Sequence, residues 1–202
     1  MRKLNIEPRK PKRSVGPRFG LAAVVSALAA TTAVASNASA FEESTRRPFY
    51  IQGAVGSFSY WPVLFQNQAY WRPDVEFGYH FSGRHDGFVL GIRQAFDVGR
   101  DVYSGGQTSL RAGWDFALPF RNGRFELTLA PYGTLGVNYI FQGPQAGVHA
   151  SVGFDAKLFF FQGLYVLVRP IELGFGQFVN LGPFAQNVYF NINAGIGAGY
   201  AF

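Results

Sequence analysis

His149 and Ser151 are the two residues whose types and spacing could perform covalent chemistry. Residues i and i+2 share one face of a β-strand, so the imidazole can approach the hydroxyl. An imidazole placed to take the proton of a serine hydroxyl is the minimal arrangement for an activated nucleophile. An acidic third member has no match by spacing, although Asp155 and Glu172 are candidates. The alternative interpretation is a hydrogen-bonded pair without catalytic activity.

Eleven ionisable residues recur on one face of the predicted strands and define a second candidate site. They are Glu76, His80, Arg93, Asp97, Arg111, Asp115, Glu126, Asp155, Lys157, Arg169 and Glu172. A buried charge without a partner is very costly, so these side chains must pair if that face is enclosed. The set then forms either a closed, salt-bridged plug or a narrow ion path. Its six acids outnumber its four bases by two, which predicts a protonated carboxyl or water entering from one end.

The elements that position these residues are strands with two unlike faces. Apolar residues alternate with small or polar ones after residue 48, the pattern of strands that separate two environments. The clearest strand is the last, whose apolar face carries Val188, Phe190, Ile192, Ala194, Ile196, Ala198, Tyr200 and Phe202. Eight such strands predict an all-β fold, an antiparallel up-and-down barrel. In the seventh, over residues 164–176, the phase slips at Arg169-Pro170, which predicts a β-bulge that keeps Arg169 and Glu172 on the polar face.

The connections between these strands predict how the two ends of the barrel differ. The tight connections are residues 82–86, 121–123 and 161–163, and the longer ones are residues 60–73, 99–106, 142–146 and 177–187. Tight and longer connections alternate along the chain. An up-and-down barrel would therefore collect all the tight turns at one end.

Residues 1–40 have the features of a cleavable signal peptide. Seven basic residues and one acid precede an apolar run from Leu21 to Val34, and Ala38-Ser39-Ala40 supplies a cleavage site of small residues. The domain prediction is therefore a signal peptide over residues 1–40, a short lead-in over 41–47 and a barrel over 48–202. The remainder carries 11 basic and 11 acidic residues, so the whole-chain net charge of +6 belongs to the leader. That charge is no evidence for nucleic-acid binding.

The composition of the two faces predicts a membrane barrel rather than a soluble one. The polar face is rich in Gly, Ala and Ser, which suit a narrow interior, and Lys157 is the single lysine after the leader. Aromatic residues near the strand ends predict girdles at the membrane boundary. They are Tyr60, Trp61, Tyr70, Trp71, Phe120, Phe125, Phe159, Phe160, Phe161 and Tyr165. The bulky apolar face would then contact lipid, and the eleven ionisable residues would lie inside.

With its leader, its paired strands and the terminal run from Ile196 to Phe202, the chain resembles the small eight-stranded outer-membrane barrels of the OmpA transmembrane domain and OmpX type. The resemblance implies the bacterial outer membrane as location, and lipid and lipopolysaccharide as surroundings. It also implies that Phe202 is the assembly signal for the barrel-assembly machinery. It fixes no activity, because this architecture serves structural, adhesive, pore-forming and enzymatic roles. Apolar residues 60–65 and 178–184 would extend the girdle or contact a lipid or a partner.

His149 and Ser151 also resemble the His-x-Ser motif of PagL-type lipid A deacylases, which are small outer-membrane barrels. Val152 follows the serine here, where that family has asparagine, and the strand phase points both residues inward. The interpretation favoured by the sequence is a non-enzymatic barrel with a structural or surface-interaction role, with the deacylase and a narrow solute or ion pore as alternatives. No cofactor, metal or nucleic-acid partner is predicted, because His80 and His85 are isolated and no helix follows the glycines of residues 195–199. The oligomeric state is left open.

Overall fold

The chain folds into a closed barrel of eight antiparallel strands, as the alternating sequence predicts. The computed structural model describes residues 47–62, 68–98, 105–119, 125–140, 145–160, 163–179 and 188–202. The strands are β1 (Phe49–Pro62), β2 (Gln68–His80), β3 (Gly87–Asp97), β4 (Gly105–Pro119), β5 (Glu126–Ile140), β6 (Gln145–Phe159), β7 (Leu164–Val179) and β8 (Val188–Ala201). Each strand pairs with its sequence neighbours, and β1 pairs with β8. The predicted leader and most of the lead-in lie outside the described residues.

The seam between the first and last strands is joined by backbone and ring contacts. The amide of Phe49 donates to the carbonyl oxygen of Phe202 at 3.1 Å, and the reverse bond measures 2.8 Å. The rings of the two residues stack with their centroids 6.0 Å apart. Because a closed sheet has no free edge, every strand can satisfy both of its ladders.

The two faces of the sheet separate apolar from charged side chains. Within the described strands, every charged side chain lies on the inner face, and most large apolar side chains face outward, with Val89, Phe159, Leu167 and Phe178 buried inside. The outward set includes Ile51, Phe77, Ile92, Leu110, Val152, Phe175 and Ile196. This is the inverse of a soluble barrel, and it confirms the predicted orientation of the faces. Among the described residues, no helix has the length and apolar character needed to cross a membrane.

The predicted bulge in the seventh strand is present. The register of β7 against β8 shifts between Arg169 and Glu172, and β6 against β7 shifts between Phe154 and Ala156. Pro170 and Ile171 both face outward, while Arg169 and Glu172 both point into the barrel. Pro170 has no amide hydrogen, so the extra residue falls where the ladder is already interrupted.

The two sets of connections differ less in length than predicted. Residues 98–104 and 180–187 are longer than any connection predicted to be tight, whereas residues 63–67 and 141–144 are not. The strands extend into the expected loops, so that residues 63–67 are all that separates β1 from β2, where the sequence predicted residues 60–73. At the other end, residues 81–86 join β2 to β3 and are no shorter. The connections still alternate between the two ends. The end with residues 81–86 and Phe202 is called the turn end below, and the opposite end is called the loop end.

Candidate functional site

The candidate site is the ion-paired interior of the barrel. Nine of the eleven predicted residues have an exposed fraction of 2% or less, and Asp97 and Glu126 are half-buried. The structure adds Arg72 and Asp74, which have exposed fractions of 2% and 3% and were not in the predicted set. Arg72 falls within residues 60–73, which the sequence predicted to be a connection.

Arg93 and Arg169 share acidic partners at the centre of this network. Arg93 donates to Glu172 Oε2 at 2.6 Å and to Asp74 Oδ2 at 2.7 Å. Arg169 donates to the same Asp74 oxygen at 2.8 Å and, through Nε, to Asp155 Oδ1 at 2.9 Å. The predicted bulge brings Arg169 and Glu172 onto one face, where Arg169 Nε lies 3.7 Å from Glu172 Oε2.

Arg111 continues the network toward the turn end. Its Nη1 donates to Glu76 Oε2 and to Asp155 Oδ2, both at 2.9 Å. The hydroxyl of Tyr50 donates to the other oxygen of Glu76. The guanidinium of Arg111 also lies 3.8 Å from the centroid of the Tyr132 ring, a cation–π contact strengthened by the removal of water.

A separate trio lies nearer the turn end. Lys157 Nζ is 2.5 Å from Asp115 Oδ2, and His80 Nε2 is 3.0 Å from the same oxygen. All three side chains are buried, so the lysine and the aspartate satisfy each other where water has little access. The predicted set thus divides into a central network and this smaller group.

Two further pairs lie at opposite ends of the barrel. Arg72 Nε is 3.6 Å from Asp97 Oδ1 near the loop end. His85 Nε2 is 2.5 Å from Glu126 Oε1 at the turn end. Asp97 and Glu126 are therefore the two acids in excess over the buried bases, one at each partly exposed end.

With those two acids set apart, the buried charges of the described interior balance. Five bases and five acids each have an exposed fraction of 3% or less. They are Arg72, Arg93, Arg111, Lys157, Arg169, Asp74, Glu76, Asp115, Asp155 and Glu172. The two acids in excess therefore lie at the ends and not in the buried interior, and the predicted set had omitted one buried base, Arg72, and one buried acid, Asp74.

Tyrosines opposite glycines fill the space between these charged groups. Tyr50, Tyr132, Tyr165 and Tyr189 are buried and pair with Gly78, Gly153, Gly199 and Gly176 on the neighbouring strands. Each ring occupies the space that a Cβ atom would take at its glycine. Phe159 and Tyr165, predicted for the outer aromatic girdle, belong to this interior, and their ring centroids are 4.6 Å apart.

The structure places His149 and Ser151 inside the barrel without bringing them into contact as a catalytic pair. Ser151 Oγ donates to Glu172 Oε1 at 3.1 Å and lies 2.6 Å from Thr134 Oγ1. The imidazole of His149 instead uses Nδ1 to contact the Tyr189 hydroxyl at 3.1 Å. Both side chains are buried away from the lipid-facing side. The arrangement therefore lacks an imidazole in contact with the serine hydroxyl, and it gives the serine no access to an acyl chain on the lipid-facing side.

Ser151→Ala is expected to leave the acylation of lipid A unchanged when the chain is expressed in an outer membrane. The reason is that Ser151 and His149 are engaged with different partners. Mass spectrometry of lipid A from cells with the parent chain, the variant or no chain provides the measurement. Acylation that is lowered by the parent and restored by Ser151→Ala would establish the deacylase.

Neutral polar residues line the half of the interior toward the loop end. Asn138 Nδ2 donates to the Tyr189 hydroxyl at 2.7 Å, and Gln107, Asn191 and Asn193 are buried on the same side of the ion network. These neutral residues lie outside the set predicted from sequence, which contained ionisable side chains alone. Among the described residues, no group of three or more metal-binding side chains is close enough to hold a metal ion.

The fold is shared with solved bacterial outer-membrane barrels. Neisserial surface protein A matches with a TM-score of 0.52 at 11% identity, covering 76% of this chain and 97% of that one. The N-terminal β-barrel domain of Pseudomonas aeruginosa OprF matches at 0.47 and 19% identity, covering 75% and 97%. Ail, the attachment invasion locus protein of Yersinia pestis, matches at 0.41 and 12%, covering 78% and 99%.

The match to Neisserial surface protein A and the closed barrel of eight strands together define the fold. The chain has the fold of the small eight-stranded outer-membrane β-barrels. No protein-family model matches it, and no curated protein sequence matches it. At these low sequence identities, the structural similarity shows the fold and does not extend to an activity.

Proposed function

We propose that the chain is an integral outer-membrane barrel with a structural or surface-interaction role and a closed interior. The observation that carries this proposal is the balanced set of buried ion pairs inside a wall whose outer face is apolar. An apolar belt on the outside suits lipid, and an eight-stranded barrel is wide enough only for its own side chains.

The paired interior supports a closed barrel over a narrow pore. Arg93, Arg111 and Arg169 come from three strands and share acids across the lumen, so a passing ion would have to separate several pairs. Separating a buried pair exposes each charge to the desolvation penalty that its partner had offset. Ions would therefore meet a high barrier at the level of these three arginines.

The partners of this barrel follow from the same proposal. The apolar outer face would contact outer-membrane lipid and lipopolysaccharide, and the apolar segments at residues 63–65 and 180–184 lie outside the described residues. The barrel-assembly machinery would recognise the terminal strand and Phe202, whose ring is half-exposed on the outer face beside Tyr200. Export would use residues 1–40 as a signal peptide, with cleavage after Ala40.

The first test of this proposal is the electrophoretic mobility of the outer-membrane fraction, unheated against boiled. A closed barrel that resists detergent is expected to migrate differently after boiling, and its N-terminus is expected at Phe41. Recovery as a soluble periplasmic protein without a mobility shift would refute the membrane location. In that case the apolar face would point inward and line a ligand cavity, as in a lipocalin-like binding protein.

The closed interior makes a separate prediction for planar bilayers. The folded chain is expected to produce no discrete conductance steps, because the buried charges are paired across the lumen. The same preparation must show the mobility shift on boiling, so that absence of current is not caused by unfolded protein. Reproducible unitary steps would establish the pore instead.

A further inference from the structure

The connection between β2 and β3 is a compact turn at the turn end of the barrel. Ser82 Oγ donates to the carbonyl oxygen of Asp86 at 2.5 Å and accepts from the amide of Arg84 at 3.1 Å. Gly83 and Gly87 have φ angles of 76° and 82°, a region that side chains other than glycine rarely adopt. The internal bonds hold residues 82–86 together as one unit, with Gly83 inside it and Gly87 directly after it.

One side chain of this turn reaches the far side of the barrel. His85 Nε2 lies 2.5 Å from Glu126 Oε1 at the start of β5. Its ring lies 4.7 Å from the ring of Phe159 at the end of β6, measured between centroids. On a ring of eight strands, β5 and β6 are two and three positions away from β3, which follows His85, so these contacts pass over β4. His85 therefore crosses the opening of the barrel at the turn end.

Buried residues of β5, β6 and β7 lie on the interior side of His85. Phe159 and Tyr165 are 2% and 1% exposed, and Thr128 is 0% exposed. Lys157 and Asp115 lie beyond them. By contrast, the side chains of His85 and Glu126 are 18% and 13% exposed, so they form the boundary between solvent and interior.

We propose that residues 81–86 act as a cover over the turn end of the barrel, with the contact of His85 to Glu126 and Phe159 as its latch. Of the contacts described for this turn, those of His85 are the ones that cross the opening. The cover excludes water and ions from the inner face of β5 and β6, and releasing His85 opens that face. The inference goes beyond the closed barrel proposed above, because it assigns closure at this end to a turn and not to the central arginines.

A single-cysteine reporter tests the cover, since the sequence contains no cysteine. Thr128→Cys places a thiol on the inner face of β5, two residues beyond Glu126 and fully buried. The probe is a small charged methanethiosulfonate, applied to the folded full chain in detergent. Adding His85→Ala is expected to raise the labelling rate by about tenfold, the change that loss of one charge-assisted hydrogen bond makes to a local opening equilibrium.

Matched variants distinguish loss of the His85 contact from a general destabilisation of the barrel. Arg84→Ala removes an exposed side chain of the same turn and is expected to keep the parent labelling rate. His85→Gln restores a hydrogen-bond donor for Glu126 and is expected to slow labelling relative to His85→Ala. Each variant must keep its mobility shift on boiling, which reports on the barrel itself. Ala130→Cys, also fully buried on β5, is the second reporter should Thr128→Cys not fold.

Two results would overturn the cover. One is a labelling rate in His85→Ala equal to that of its parent, with the thiol shown to be reactive after unfolding in urea. The other is an equal acceleration by Arg84→Ala, which would mean that any change in the turn loosens the barrel. Neither result depends on which membrane holds the protein, so failure of the cover is distinct from failure of the proposed location.

Discussion

Replacing Arg169 with leucine is expected to lower the free energy of unfolding by about 3–5 kcal/mol, the usual cost of removing one partner from a buried ion pair. Arg169 donates to Asp74 at 2.8 Å and to Asp155 at 2.9 Å, and its Nε lies 3.7 Å from Glu172. Leucine would leave these carboxylates with fewer donors in a region without solvent. The measurement is urea unfolding of the folded barrel in lipid vesicles, followed by tryptophan fluorescence.

Two matched variants test whether the lower free energy of unfolding comes from removing the Arg169 guanidinium. Arg84→Leu removes an exposed arginine from the turn and is expected to change stability by less than about 0.5 kcal/mol. Arg169→Lys keeps the positive charge but replaces the planar fork with a single ammonium group, so its loss is expected to fall between the two. A loss below about 1 kcal/mol in Arg169→Leu would show that water or counter-ions replace the guanidinium, as they do at exposed ion pairs.

The sequence was sufficient to predict the strands and their faces. Alternation in β8 runs without interruption, and the structure places Asn191 and Asn193 inside and Phe190 and Ile196 outside, as the pattern requires. The bulge was predictable as well, because Pro170 cannot donate to a ladder and the polar pattern shifts by one residue at that point. Period-two patterning is local, so it can be read without knowledge of the fold.

The start of β2 was missed, since residues 60–73 were predicted to form a connection and β2 begins at Gln68. In the structure Pro73 pairs with Val55 of β1, while the ladder to β3 is interrupted between the Trp71–Val98 bridge and the pairing of Asp74 with Ala95. The missing amide hydrogen of Pro73 falls within that interruption. A proline is therefore tolerated here for a reason that depends on the neighbouring strand, which the local sequence does not reveal.

The inward position of Tyr165 was missed for a similar reason. Tyrosine suits a membrane boundary, but it also suits a polar interior in which its hydroxyl finds a partner. Tyr165 donates to Gln52 Oε1 at 2.9 Å, and its ring lies over Gly199 of β8. Whether a tyrosine lies at the membrane boundary or in the interior depends on the cross-strand register. Here the register pairs Tyr165 with Gly199, which leaves room for the ring inside the barrel.

The partners within the ion network were also beyond prediction from sequence. Arg169 and Asp74 are 95 residues apart, and Arg93 and Glu172 are 79 residues apart. Their distances depend on how far each strand is shifted against the next as the sheet closes. The sequence could indicate which charges face inward and that they must pair, but the pairing itself is a property of the closed barrel.

Gly153→Val is expected to destabilise the barrel by about 3 kcal/mol, through overpacking of the interior and loss of hydrogen bonds. A Cβ atom at Gly153 would lie 2.5 Å from both Cζ and Oη of Tyr132. That ring would have to move away from the Arg111 guanidinium, and its hydroxyl would lose the 2.7 Å bond to Glu172. The effect of a glycine substitution should thus spread into the ion network.

The control for Gly153→Val is Gly133→Ala on the adjacent strand. A Cβ atom there would meet only the Ser151 carbonyl oxygen at 3.6 Å, an ordinary contact, so stability should change by less than about 0.5 kcal/mol. The urea midpoint of each variant, alone and combined with Tyr132→Ala, gives a double-mutant cycle. Because valine is harmful only where the ring is present, the combined loss should be smaller than the sum of the two single losses. Strict additivity would mean that Gly153 is required by the backbone and not by Tyr132.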